Sequence, residues 1–121
     1  MILVDSSIWV DHLRGGGSGL GDLLRRRMVL THPFVIGELV CGGLPKRSEV
    51  LALMAHLPGA EIAAHNEVLA MVEQERLVSF GIGWIDAHLL ASAMLSDAGV
   101  WTRDGAMARA AVRLGISGAQ P

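Results

Sequence analysis

Cysteine is nearly absent from this chain. The single Cys41 cannot close an intramolecular disulfide, and no Cys-x-x-Cys zinc or redox pair can be written. A lone cysteine in an apolar helical stretch is ordinarily packing, and no Cys/His/Asx arrangement supports a catalytic thiol. Long hydrophobic runs are missing too. Although 51% of the residues are hydrophobic, no run approaches the ~18 residues of a membrane span. The opening Met1-Ile2-Leu3-Val4-Asp5 has neither a basic leader nor a cleavage site, so no signal peptide is expected and the expected location is cytoplasmic. Positive charge is not in excess. Lys and Arg number 10 against 12 Asp and Glu, a formal net charge of −2, which is not the balance of a general nucleic-acid binder. Any nucleic-acid contact has to come from local patches or a bridging metal. The patches are Arg25-Arg26-Arg27 and Lys46-Arg47, with Arg14 and Arg103 isolated. The arginine run reads equally well as a solvated helix end favoured by the macrodipole.

Several site signatures are also lacking. The five histidines (His12, His32, His56, His65 and His88) contain no His-x-x-x-His pair, so zinc is unsupported and they read as surface or capping residues. The segment Gly15-Gly16-Gly17-Ser18-Gly19-Leu20-Gly21 fits neither Gly-x-Gly-x-x-Gly nor a P-loop and reads as a connection. No Gly-x-Ser-x-Gly elbow occurs, and Ser6-Ser7 has no neighbouring base. Trp9, Trp84 and Trp101 read as core or interface, with stacking on an RNA base as the lesser alternative. No repeat or linker is visible, and 121 residues predict one domain over 1–121.

What is present is an alternation of short apolar runs and helical patterns. Strands are expected at Met1 to Val4, Met28 to Thr31 and Val100 to Thr102, with briefer ones near Glu61 to Ala63 and Ile116-Ser117. Helices are expected from Ser6 or Ser7, as cap, to Leu13, over Asp22 to Arg27, from Pro33 to Val40, over Ser48 to Leu57, His65 to Ser79 and Trp84 to Asp97, and from Asp104 to Leu114. In the long later helices Val68, Met71 and Val72 are expected to face inward, and Ile85, Leu89 and Ala93 to share one face. This pattern predicts an α/β fold with a parallel sheet covered on both faces.

Four acidic residues stand in or beside apolar segments: Asp5 after Met1-Ile2-Leu3-Val4, Glu38 inside Phe34-Val35-Ile36-Gly37-Glu38-Leu39-Val40, Asp86 inside Trp84-Ile85-Asp86-Ala87-His88, and Asp104 after Val100-Trp101-Thr102-Arg103. Carboxylates are rarely buried without a partner. Asp5 and Asp104 fall at the carboxyl ends of strands, where open α/β sheets bind ligands. Asp86 falls in a first helical turn, and Glu38 has to reach in from the side. Two carboxylates ~4 Å apart repel by about 4 kcal/mol at an effective dielectric near 20, so a shared pocket calls for a cation. Oxygen ligands without His or Cys select Mg²⁺ or Mn²⁺, and the chemistry this suggests is metal-assisted phosphodiester hydrolysis. Taken singly, Asp5, Asp86 and Asp104 read equally well as helix-start residues.

The segments Ile2-Leu3-Val4-Asp5-Ser6-Ser7-Ile8-Trp9, Ile36-Gly37-Glu38-Leu39-Val40-Cys41-Gly42, Gly83-Trp84-Ile85-Asp86-Ala87-His88-Leu89 and Val100-Trp101-Thr102-Arg103-Asp104 together resemble the four motifs of PIN-domain proteins, in particular the VapC toxins of type II toxin–antitoxin modules. The resemblance runs in order from Met1 to about Ile116. It implies a three-layer sandwich with a central parallel sheet of four to five strands flanked by helices. It also implies a Mg²⁺- or Mn²⁺-dependent endoribonuclease neutralised by a cognate antitoxin, acting on RNA such as a tRNA, as a homodimer or a toxin–antitoxin hetero-oligomer. By position, Asp5, Glu38, Asp86 and Asp104 would be catalytic, with Asp5 and Asp86 on the metal, Asp104 completing its site directly or through water, and Glu38 orienting or deprotonating the attacking water or binding the metal. Ser6 and Thr102 would support the acids, and Arg14 and Arg103 would meet the substrate. The apolar stripes at Leu51 to Leu57 and Val68 to Val78 are candidate docking surfaces or plain core. The competing readings are a non-catalytic PIN-fold module that binds RNA or protein, and an Asp-phosphorylated signalling domain. The latter would want Asp-x-Asp where this chain has Asp5-Ser6-Ser7.

Overall fold

The computed structural model describes residues 1–118; the expected domain end at Pro121 lies outside the described residues. Three strands, Ile2–Val4 (β1), Val29–Leu30 (β2) and Gly99–Trp101 (β3), form a parallel sheet in the order β2-β1-β3. Ile2 stands opposite both Val29 and Gly99, and Val4 opposite Trp101. All of β1 is buried. Successive strand side chains point to opposite faces, so both faces of the sheet are covered, as an unbroken apolar run predicts. The helices are Ser6–Leu13 (α1), Leu20–Arg25 (α2), Pro33–Cys41 (α3), Arg47–Ala55 (α4), His65–Gln74 (α5), Trp84–Leu95 (α6) and Gly105–Leu114 (α7). Among the described residues, no helix is long and apolar enough to cross a membrane. One core runs through the sheet and helices, with Leu3, Val4, Trp9, Leu20, Leu89 and Met107 each 1% exposed or less. Burying an aliphatic side chain of this kind contributes about 1.5–3 kcal/mol.

The α/β class with its parallel sheet is as expected, but the sheet has three strands rather than four or five. The segment expected as a strand near Glu61 makes a single bridge, Thr31 to Gly59. Beyond it the amides of Glu61 and Ala63 donate to serine hydroxyls of α6, at 2.8 Å to Ser96 Oγ and 3.2 Å to Ser92 Oγ. Donors satisfied by a helix's side chains leave nothing for a ladder. Ser117 likewise makes one bridge to Val100, flanked by Val100 N–H donating to Ile116 O and Gly118 N–H donating to Val100 O, both at 2.7 Å.

Two helices also depart from expectation. α5 stops at Gln74, because Arg76 takes a left-handed conformation (φ 53°) before a 3-10 turn over Leu77–Phe80. In α6, Leu89 and Ala93 are buried, but Ile85 is 39% exposed. Ile85 lies in the opening turn, beyond the edge of the core.

What positions the site is a repeated handover. Each strand passes at its carboxyl end to a residue that caps the next helix: Asp5 caps α1 after β1, His32 caps α3 after β2, and Asp104 caps α7 after β3. The cap of α1 is Asp5 itself, not Ser6 or Ser7. Asp5 keeps extended dihedrals (φ −67°, ψ 155°), and its carboxylate accepts the Ser6 N–H, as an N-cap requires.

Candidate active site

Asp5 is the buried member of the acidic group, 7% exposed. Its amide donates to Trp101 O at 2.9 Å, which locks its start point to the neighbouring strand. Oδ1 accepts Ser6 N–H at 2.8 Å, and Oδ2 accepts the Thr102 hydroxyl at 2.7 Å and the Ser7 hydroxyl at 3.0 Å. These hydroxyls accept in turn from the backbone: Asp104 N–H donates to Thr102 Oγ1 at 3.0 Å, and Arg103 N–H to Ser7 Oγ at 3.1 Å. The turn after β3 is thus clasped onto Asp5 through two hydroxyls, and Asp104 is set down beside it. Asp104 Oδ1 then accepts Met107 N–H at 3.1 Å and caps α7.

Glu38 and Asp86 approach from α3 and α6. Glu38 is an exposed residue on its helix, contrary to its apolar sequence surroundings, because it occupies the face turned toward the carboxyl edge of the sheet. Its carboxyl end reaches Ser6, whose hydroxyl lies 3.3 Å from Glu38 Oε2 and 3.5 Å from Asp5 Oδ1. Partial burial pushes the Glu38 carboxyl above its ordinary range, Asp5 and then Asp86 push it further, and the Ser6 hydrogen bond opposes them. Asp86 is raised as well, by partial burial first, then by Asp5 and, more weakly, Asp104, against a hydrogen bond with the Gly83 backbone. Such mutual perturbation requires the charges to lie near one another. The fold therefore brings Asp5, Glu38, Asp86 and Asp104 into one neighbourhood at the carboxyl edge, with Ser6 and Thr102 among them.

The side chains do not stand as a ready-made cage. Among the described residues, no three His, Cys, Asp or Glu side chains are gathered so as to hold one ion. Asp5 and Asp104 are oriented by their own donors. The donor chemistry nonetheless fits a hard divalent cation, with carboxylate and hydroxyl oxygens and no thiolate.

The two candidate substrate arginines part company. Arg103 sits beside Asp104, and its guanidinium donates to Asp11 Oδ2 at 2.7 Å. Arg14 is exposed at the far end of α1, roughly 13 Å along the helix from Asp5. Arg25 and Arg26 close α2 and lean on Asp22, the solvated helix end weighed above.

Two features escaped sequence reasoning. Ser7 supports Asp5 as directly as Thr102 does; a hydroxyl two residues after a strand-end aspartate was the available signal. The second is a row of rings beside the acids. His88 is buried rather than on the surface, 2% exposed, with His65 Nδ1 2.9 Å from its Nε2. His32 is buried too, and its Nδ1 accepts Phe34 N–H at 3.0 Å to cap α3. No spacing in the sequence announces contacts between residues 23 and more positions apart.

The chain is also similar to known proteins. The family model of the PIN domain matches residues 2–113. A protein named ribonuclease VapC32, from Mycobacterium tuberculosis strain CDC 1551 / Oshkosh, is 41% identical over 118 residues, covering 97% of this chain and 95% of that protein. The protein of the same name from strain ATCC 25618 / H37Rv matches to the same extent.

Proposed function

This chain belongs to the PIN-domain family, among its VapC-type members, and on that footing we propose that it is a toxin endoribonuclease that hydrolyses RNA phosphodiester bonds with a divalent cation and is neutralised by a cognate antitoxin. The observation that carries the reading is the geometry at the carboxyl edge of the sheet, where Asp5 and Glu38 flank the Ser6 hydroxyl, Thr102 joins Asp5 to the backbone of Asp104, and Asp86 opens α6. Two of them, Asp5 and Asp104, also cap helices, so their presence alone has a structural explanation. Asp86 likewise sits in the first turn of α6, hydrogen-bonded with the backbone of its N-cap Gly83; Glu38, well inside α3, has no such role, and its carboxyl is raised all the same.

In the proposed site Asp5, Asp86 and Asp104 hold Mg²⁺ or Mn²⁺. Bound there, the ion would polarise the phosphodiester and make water more acidic. The rest falls to the chain's own groups. Glu38, with its carboxyl raised above its ordinary range, would orient a water and take its proton. Ser6 links Glu38 to Asp5, so the base keeps a fixed bearing relative to the ligand aspartate. Thr102 and Ser7 hold both Asp5 and the backbone that carries Asp104. Arg103 is placed to meet a substrate phosphate if it shares its guanidinium with Asp11; Arg14 is set farther off, for RNA beyond the cut.

The partners in this reading are RNA, with tRNA as one target, an antitoxin, and a second copy or hetero-oligomer. The test is sequencing of RNA ends after controlled expression of the wild type and of Asp5→Asn. Discrete new ends and slowed growth with the wild type alone support the proposal. Identical end profiles for the two chains would leave the non-catalytic module as the better reading.

A further inference from the structure

The three tryptophans are treated very differently. Trp9 and Trp101 are 0% and 5% exposed, whereas Trp84 is 44% exposed. Single exposed apolar side chains are ordinary, but Trp84 is not loosely exposed. His65 stacks with it at 5.8 Å between centroids and 29° between planes, and His88 meets it edge to face at 4.7 Å and 86°. The two histidines are tied to each other by the 2.9 Å contact of their ring nitrogens. Buried His88 also packs against Phe34 at 5.1 Å. An indole anchored on α6 and buttressed from α5 has little rotamer freedom left, yet presents much of its surface to solvent.

Its placement ties it to the acids at two points. Trp84 and Asp86 share the first turn of α6. At the other end of the row, Phe34 lies one helical turn from Glu38 on the same face of α3. Trp84 and Asp86 stand two positions apart, so their side chains leave α6 on different sides, and the row of rings comes toward the acids through His88 and Phe34. From this geometry we infer that Trp84 is a stacking platform for one unpaired base of the RNA strand flanking the cut. The inference rests on the nuclease reading above and adds a substrate-binding residue to it.

Charge bookkeeping points the same way. The chain is net negative, and Arg103, Arg25 and Arg26 already lean on aspartates. With no excess of cations over the whole chain, an uncharged contact to the bases would add to whatever the remaining Lys and Arg supply. Base–aromatic stacking supplies affinity without charge and is indifferent to base identity. It requires a base free of its own stack, which a duplex does not offer.

The test uses the full chain carrying Asp86→Asn to prevent cleavage, titrated with a mixed-sequence single-stranded RNA oligonucleotide and with the duplex of the same sequence. Tryptophan emission is read against the same chain carrying Trp84→Phe, which separates the change at position 84 from the emission of the two buried indoles. Single-stranded RNA is expected to quench it, and duplex RNA to leave it unchanged. In the same background Trp84→Leu should weaken single-strand binding about 5- to 100-fold, while Trp84→Phe, which keeps a ring, should recover most of it. In the active chain Trp84→Leu should raise KM well beyond its effect on kcat, with thermal unfolding showing that the variant is folded. Equal quenching by single strand and duplex, equal affinity of the leucine variant, or quenching by the antitoxin but not by RNA would overturn the inference. Failure of the wild type to cut any RNA in Mn²⁺ would remove the nuclease reading, while the quenching experiment would still decide whether a base stacks on Trp84.

Discussion

Two polar clusters sit side by side at the carboxyl edge of the sheet, and they are built on opposite terms. In one, His32 Nδ1 accepts Phe34 N–H at 3.0 Å, so its Nε2 carries the proton and donates to Ser92 Oγ at 3.1 Å, while Ala63 N–H donates to the same hydroxyl at 3.2 Å. Those groups are neutral and partnered, and they tie α3, α6 and the segment before α5 together. In the other, Glu38 and Asp86 are partly buried and held near like charges, and both, burial first, raise their carboxyls. The first arrangement is what buried polarity looks like when it serves stability. The second keeps charge together at a cost in stability, which is the mark of a group retained for chemistry.

Substitution should pull the two clusters apart. The largest effect expected is on cleavage: Asp5→Asn and Asp86→Asn should each lower the rate by about 10²–10³-fold or more, measured as turnover of a labelled RNA. Asp86→Asn should do so without lowering the melting temperature, since it removes a repelled charge. Ser92→Ala should do the reverse. It leaves His32 Nε2 and the Ala63 amide without their partner and should cost about 1–3 kcal/mol, with cleavage per folded molecule unchanged. An Asp86→Asn chain that melts well below the wild type, or a Ser92→Ala chain that is stable but inactive, would erase the distinction.

The legibility of the two clusters in the sequence differs for the same reason. Asp5 and Asp104 were visible because a strand-end carboxylate interrupts an apolar run, and the neighbourhood they share follows from adjacent parallel strands. Glu38 was visible as an acid inside an apolar helix, although it proved to be exposed on the site-facing side rather than buried. The His32–Ser92 and His65–His88 pairs were not visible. Each member is unremarkable in its own segment, and the pairing depends on how α3, α5 and α6 pack. The strand count failed for a related reason. The run near Glu61 has strand-like neighbours, but whether its amides join a ladder or meet Ser92 and Ser96 is decided by a helix some 30 residues away. Patterns report which face is apolar; they do not report which donor a distant hydroxyl will claim.

Added cation should sharpen the contrast next. Mn²⁺ at about 100 times its Kd should raise stability by about 2.7 kcal/mol by mass action, read as a melting shift reversed by chelator. The shift should vanish in an Asp5→Asn, Asp86→Asn double variant and persist unchanged in Ser92→Ala. A shift of equal size in both would place the cation elsewhere.

The smallest effect expected is also the one in which the clusters have opposite sign. Glu38 and Asp86 have folded pKa values above their ordinary 4.5 and 3.8. The folded state therefore holds protons that the unfolded chain has released, and this contribution declines as pH rises from those ordinary values through the raised ones. His32 is lowered from 6.5, by burial first and then by His88. There the unfolded chain binds the extra proton, so the contribution is complete above 6.5 and fades as pH falls below it. Glu38→Gln should remove part of the first slope and raise the melting temperature by about 2–4 °C near neutrality, kept small because the carboxyl is largely solvated. It should leave the loss below pH 6.5 in place. His32→Asn, which keeps a capping side chain, should remove part of that acid-side loss, leaving the share of His88, which burial and then His65 also hold below 6.5, and should leave the carboxylate slope. Melting curves of both variants from pH 4 to 8, taken in chelator so that no cation masks the repulsion, check the signs. A Glu38→Gln chain less stable than wild type at pH 7 would mean that the Ser6 contact outweighs the repulsion from Asp5.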